Sequence, residues 1–219
     1  MSSNELIDLK ALSNLVELST LNLADNLIVD LTPLSGLKQL TILQLGENHI
    51  VELAPLAKLV DSENFAPSRR EELGLEGNEI VDVTPLAGLA SLKKLTLGSN
   101  QIVDISTLST LTNMMSLDLV NNQIVNIQTI ANLISLRILL LDNNLIDDIR
   151  PLAGLTNIFG LWLSGNPISD LQPLVDNPGI GYGDRVYICS SQLDLTPGSL
   201  ASEHIDTLTW RGVYVYECW

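Results

Sequence analysis

The chain has 219 residues, 46% of them hydrophobic and only 4% aromatic, which suits one elongated domain with a continuous aliphatic core. A formal net charge of -15 argues against nucleic acid, because phosphate binding needs clustered Lys and Arg, and against an anionic membrane surface. No apolar run is long enough to insert into or span a membrane, and the opening MSSNELIDLK has no signal-peptide pattern, so a secreted or cell-surface location and a cytoplasmic one both stay open.

In chain order the first feature is an asparagine frame already under way. Asn4 is followed by Leu6, Leu9 and Leu12 at spacings that recur throughout the chain. The expectation is a start in mid-repeat with no capping segment, as in a trimmed longer protein. Such an open end leaves apolar residues free to fray or to self-associate.

The frame then returns at Asn26, Asn48, Asn78, Asn100, Asn122, Asn144 and Asn166, at intervals of 22, 30, 22, 22, 22 and 22 residues. Leucines stand five and three residues before each, and isoleucine two after. The stretch LTILQLGENHIVELAPL from Leu40 to Leu56 shows the pattern whole. This period defines a leucine-rich-repeat solenoid. The fold class is α/β: a right-handed coil with a curved parallel sheet on the concave side and short 3₁₀ or α turns on the convex side. Leucine pairs such as Leu95 and Leu97 have the spacing of one strand face, so they point inward. The asparagines are expected to form a buried ladder, their amides supplying donors and an acceptor to turns that leave the sheet. On this basis removing Asn122 should cost more than removing its outward neighbour Asn121.

After the turn comes Ile-x-Asp-x-x-Pro-Leu, seen at Ile28 to Leu34, Ile80 to Leu86 and Ile146 to Leu152. Thr32-Pro33 and Thr84-Pro85 read as an N-cap followed by proline at the first helical position. The acids four residues past each asparagine (Asp8, Asp30, Glu52, Asp82, Asp104, Asp148, Asp170) form a ladder, with Asn126 as the exception. A calcium stripe is conceivable, but such sites need several oxygens in one loop, so capping of the return arm and solubility are preferred. No metal site is assigned. One repeat carries eight extra residues within 60–70 (VDSENFAPSRR), where Phe65, Arg69 and Arg70 could contact a partner or merely cover a packing defect.

These repeats, from about Asn4 to Leu174, resemble the 22-residue class found in internalins and in the protein-phosphatase-1 regulatory repeat proteins. The resemblance implies the solenoid and, loosely, a binding role. Internalins carry a helical N-terminal cap, which is not seen ahead of Asn4. Residues 1–175 are thus the repeats and 176–219 a closing repeat and cap. The tail from Asp176 to Glu217 is similar to the closing segment of bacterial and archaeal repeat proteins. Val186 and Ile188 continue the leucine pair there, and Ser191 replaces the asparagine. Ser199 or Ser202 could cap a helix through Leu208, and Val213 and Val215 form the core pair of a ninth strand.

The search for chemistry yields no catalytic residues and no cofactor. There is no Walker lysine motif and no His-Glu-x-x-His, and Gly179, Gly181 and Gly183 precede a strand instead of joining strand to helix. Cys189, His204 and Asp206 are the residue types of a thiol hydrolase, a trio that chance supplies readily. Cys189 and Cys218 fall on the last two strands and could form a disulfide. The expected register sets them two positions apart, at the limit of disulfide reach, so two free thiols are the default.

The open face of the sheet is more informative. Small and polar residues dominate its first strands, whereas Trp162, Tyr187, Tyr214 and Tyr216 point outward from the last three. Leu140 and Val120 extend this strip, and Asp118, Asp142 and Arg185 could form a polar rim. Tyr, Trp and Arg are enriched in binding hot spots, although bulky β-formers also simply cover sheets. The sequence therefore reads as a non-catalytic module recognising a protein or peptide with a basic face. The alternative is a structural spacer or cell-surface segment with no ligand on its concave side.

Overall fold

The structure, a computed structural model, describes residues 4–59, 71–190 and 192–217. Nine strands of three residues each stack in sequence order into one parallel sheet, the concave wall of a right-handed solenoid. They are β1 (Thr20–Asn22), β2 (Ile42–Gln44), β3 (Glu72–Gly74), β4 (Lys94–Thr96), β5 (Ser116–Asp118), β6 (Ile138–Leu140), β7 (Gly160–Trp162), β8 (Arg185–Tyr187) and β9 (Tyr214–Tyr216). Their middle residues, Leu21 to Leu161 and then Val186, form one buried row, and the leucines two residues on, from Leu23 to Leu163, form the next.

The asparagine ladder explains how so many turns can be packed without water. Asn48 Nδ2 donates to the carbonyls of Leu45 and Gly46 in its own repeat and of Leu23 in the one before, at 3.0–3.1 Å. Its Oδ1 accepts the Ile28 N–H at 2.9 Å. Asn78, Asn100, Asn122, Asn144 and Asn166 repeat the scheme, and Asn26 Oδ1 takes the N–H groups of Leu6 and Asn4. Each side chain thus ties two coils together. At the first coil Leu9 and Leu12 are buried, while Ile7, Leu15 and Val16 lie exposed.

The convex side is built of 3₁₀ segments, such as Thr32–Leu34, Thr84–Leu86 and Ser106–Thr110, with a short α1 (Gln172–Asp176) in the last repeat. The aspartates cap the return arm as the sequence suggested, whereas the threonines do not. Thr32 and Thr84 are the first helical residues, not the caps, and their N–H groups are held by Asp30 and Asp82 at 2.8 Å. The same bond recurs from Lys10 to Asp8, Ser106 to Asp104, Arg150 to Asp148 and Gln172 to Asp170. Asn126 does it too, accepting from Gln128 at 2.8 Å, so the fold needs an oxygen at this position and not a charge. Asp104→Asn should therefore lower the melting temperature less than Asp104→Ala, because the amide keeps the oxygen but not the charge that the Ser106 hydrogen bonds favour. Equal melting of both variants would mean that these turns owe nothing to the cap.

The residue before each asparagine is left-handed. Asp25, Glu47, Ser99, Asn121 and Asn143 have φ between 54° and 59°, and glycine occupies the equivalent site at 77 and 165. Asn121 is thus not a neutral outward position, as its exposure alone suggested. An alanine there meets the Cβ penalty of left-handed backbone.

In the closing segment, Ser199 caps α2 (Leu200–Trp210) by accepting the Ser202 N–H. Asn177 is fully buried and donates to the Leu152 and Leu155 carbonyls, a structural asparagine outside the repeat frame. Gly179 lies against the Thr156 backbone with no room for a side chain, so the first glycine of the run serves packing. The last strand is shifted from the expected register: Val186 pairs with Val215, not with Val213. A shift of two residues keeps every side chain on its face, which is why the assignment of inward and outward residues survives it.

Candidate functional site

Strand register fixes which outward side chains are neighbours. The central row across the concave face reads Asn22, Gln44, Gly74, Thr96, Asp118, Leu140, Trp162, Tyr187 and Tyr216. Its first half is small or polar. Beside it Lys94 is paired to Glu72 at 2.5 Å, and Thr96 of the row donates to Glu76. From Leu140 onward the row is apolar.

Its end is a stack of three rings. Trp162 and Tyr187 lie with centroids 4.8 Å apart and planes 8° from parallel; Tyr187 and Tyr216 follow at 4.3 Å and 7°. The cause is the parallel ladder itself. Residues in register on neighbouring strands are about 4.8 Å apart, close to the separation of stacked rings. Gly160 makes the arrangement possible, because a Cβ there would stand 2.7 Å from the Trp162 indole. Tyr214 belongs to the adjacent row, opposite exposed Arg185, and among the described residues it takes no part in the stack. Ile138 and Gly160 continue that row, and neither was singled out from the sequence; their outward parity was the available signal.

Beside the rings lies a group of carboxylates. Asp118 and Asp142 are half-buried, and loss of water pushes both above the usual aspartate range. Backbone N–H groups of Val120 and Ser164 partly oppose the shift, at 3.0 and 2.9 Å. Repulsion adds to it, from Glu76 on Asp118 and from Asp118 on Asp142. Glu76 was not recognised as part of this group because it stands two strands away. None of the ion pairs among the described residues uses any of the three.

The sign of the resulting pH dependence follows. A carboxyl with a raised folded pKa binds protons on folding, so its ionised form weakens the fold at neutral pH and the penalty fades as pH falls through the folded pKa. Asp30, Asp104 and Asp148 run the other way, each lowered by the hydrogen bonds it accepts. Asp148, held down to about 2 chiefly by the Arg150 guanidinium, adds stability that is complete above its unfolded pKa and is lost as pH falls through its folded one. Asp118→Asn with Asp142→Asn should therefore raise the melting temperature at pH 7, and the gain should vanish below about pH 4. A constant difference across that range would show that charge is not the cause.

Cys189 borders the stack and is disulfide-bonded, which corrects the expectation of two free thiols and removes the nucleophile from the trio with His204 and Asp206. The shifted register removes the objection to a bond. Tyr187 and Tyr216, which pair, are 29 residues apart, and so are Cys189 and Cys218, the only cysteines of the sequence. Cys218, Ser191 and the insertion at 60–70 with Phe65, Arg69 and Arg70 lie outside the described residues. Among the described residues no group of three or more His, Cys, Asp or Glu could hold a metal, and no helix is long and apolar enough to cross a membrane.

Solved structures share this architecture. Internalin C2 of Listeria monocytogenes is 32% identical, the match covering 91% of this chain and 80% of that one with a TM-score of 0.76. The Listeria monocytogenes internalin InlF is 28% identical over 98% of this chain and 73% of its own, with a TM-score of 0.61. A leucine-rich-repeat protein of Leptospira interrogans, at 21% identity and a TM-score of 0.78 over 97% of this chain and 52% of that one, shares the fold. No family sequence model and no curated protein sequence matches the chain. Fold and kinship define a leucine-rich-repeat solenoid of the protein-interaction class. The chain belongs to the internalin family.

Proposed function

We propose that this protein binds a protein or peptide partner on the C-terminal half of its concave sheet, over β5 to β9. The observation that carries the reading is the ring stack of Trp162, Tyr187 and Tyr216, continuous with Leu140 at the end of a row whose first half is small or polar. Cross-strand ring pairs stabilise the sheet in their own right, and three stacked rings on an open face also form a ready hot spot once a partner buries them. The surface is broad and open, which suits a macromolecule better than a small ligand, for which an enclosed apolar pocket is usual. The net charge of -15 favours a partner face rich in Lys or Arg, with association rates that fall as salt rises. The Cys189 disulfide favours a location outside the reducing cytoplasm.

The test is affinity capture from the native source by the wild type and by Trp162→Ala and Tyr187→Ala variants. Each truncation should weaken a specific partner by about 2 kcal/mol or more. Binding that survives both substitutions but is lost when residues 60–70 are shortened would place the site on the inserted segment.

A further inference from the structure

The ring stack restricts what can occupy the face. Its rings are nearly parallel, with each face of Tyr187 covered by a neighbour at 4.8 or 4.3 Å. A sugar ring or a flat base stacks on a free aromatic face, and the middle of this platform offers none. It offers ring edges and the tips of two tyrosine hydroxyls, a surface that an apolar side chain can press against while a main-chain carbonyl accepts from a hydroxyl.

The carboxylates beside it restrict the occupant further. Asp118 and Asp142 each have one oxygen held by a backbone N–H, and they lie half-buried with no cation supplied from within the described residues. Of the basic residues on this face, Lys94 is engaged with Glu72, and Arg185 stands in the row on the far side of the rings. The electrostatic cost of keeping these acids charged would be relieved by a cation brought in from outside, and such a pair gains strength from partial exclusion of water.

We propose that the occupant is an extended segment of a partner protein that carries a lysine or arginine two residues from an aromatic or large aliphatic side chain. The cation sits between Asp118 and Asp142, and the apolar side chain packs on the edges of Trp162, Tyr187 and Tyr216. This rests on the reading that the concave face is the binding surface. The spacing comes from register. Trp162 pairs with Leu140, and Asp142 lies two residues past Leu140, just beyond the end of β6, so the Trp162 and Asp142 Cα positions are about 8 Å apart. In an extended chain, side chains on one side recur every second residue, about 7 Å apart, and the length of a Lys or Arg side chain makes up the remainder. The opposite polarity, an acidic segment held by Arg185, would place its charge on a face with three unpaired carboxylates.

The experiment is selection of a random dodecapeptide display library against three folded proteins: wild type, Asp118→Asn with Asp142→Asn, and Trp162→Ala with Tyr187→Ala. The aspartate substitutions keep oxygens for the Val120 and Ser164 N–H groups, and thermal melts establish that all three are folded. The wild type should enrich peptides with a basic residue two positions from an apolar one. Synthetic copies of these should bind the asparagine variant about tenfold more weakly and lose their salt dependence. The ring-truncated variant should not retain them. Peptides that need Trp162 and Tyr187 but show no basic preference would overturn the proposal and leave the surface reading intact. Peptides bound equally well by the ring-truncated variant would overturn both. Failure to enrich anything above that variant's background would overturn an extended segment as the occupant.

Discussion

Asn122→Ala should destabilise the solenoid by roughly 1–3 kcal/mol, the cost of leaving a buried polar group unpaired. Its Nδ2 serves the carbonyls of Leu97, Leu119 and Val120 at 3.0–3.2 Å, and its Oδ1 holds the Ile102 N–H at 3.0 Å. An alanine methyl replaces none of these bonds, and buried Ile102 leaves no route for water to reach the stranded amide. The proper control is Asn121→Gly, because φ at Asn121 is +54° and glycine keeps that conformation without strain. Asn121 does bond sideways, accepting from Asn143 at 2.8 Å, but that pair is exposed and contributes little. Thermal melts of the two variants check the comparison. Equal stabilities would mean that the ladder is not what binds coil to coil.

The second large effect is expected at the other end of the chain. Reduction of the Cys189 disulfide should destabilise the closing segment by about 3.6 kcal/mol, the value for a loop of about thirty residues in the chain-entropy description. Because each coil of a solenoid touches only its neighbours, the loss should be local. Hydrogen exchange should quicken in α2 and in β9, which holds Tyr216 against Tyr187, while β4 to β6 stay protected. Unchanged exchange in β9 after reduction would show that strand pairing alone secures the last strand.

Much of this molecule is legible in its sequence because the signal is repeated. A leucine pair and an asparagine recurring every 22 residues leave one way to bury the apolar side and feed the turns. The inward and outward parity of Trp162, Tyr187 and Tyr216 follows from the same frame. What escaped depended on single residues. The left-handed backbone at Asn121 is invisible because Asp, Glu, Ser and Asn all occupy that position alongside glycine. Thr32 and Thr84 read as caps beside the acids because threonine before proline is a common start, yet only the expected aspartate two residues earlier reaches the amide. The shift of β9 came from aligning Val213 with the leucine frame, where Val215 fits the same parity equally well. That slip hid the pairing of the cysteines and also placed Tyr214, not Tyr216, next to Tyr187. The half-buried acids could not be read at all, since burial of Asp118 and Asp142 depends on neighbours one strand away.

The central claim is that a partner covers the rings at the C-terminal half of the concave sheet. Hydroxyl-radical footprinting of the protein, with and without a captured partner, tests it most directly, because aromatic side chains report their own exposure. The account predicts that Trp162, Tyr187 and Tyr216 become protected together in the complex. Exposed Tyr182, which lies off this face, and the flank valines Val29, Val51 and Val81 should keep their reactivity. Protection of the flank valines or of residues 60–70, with Trp162 and Tyr187 as reactive as in the free protein, would contradict it.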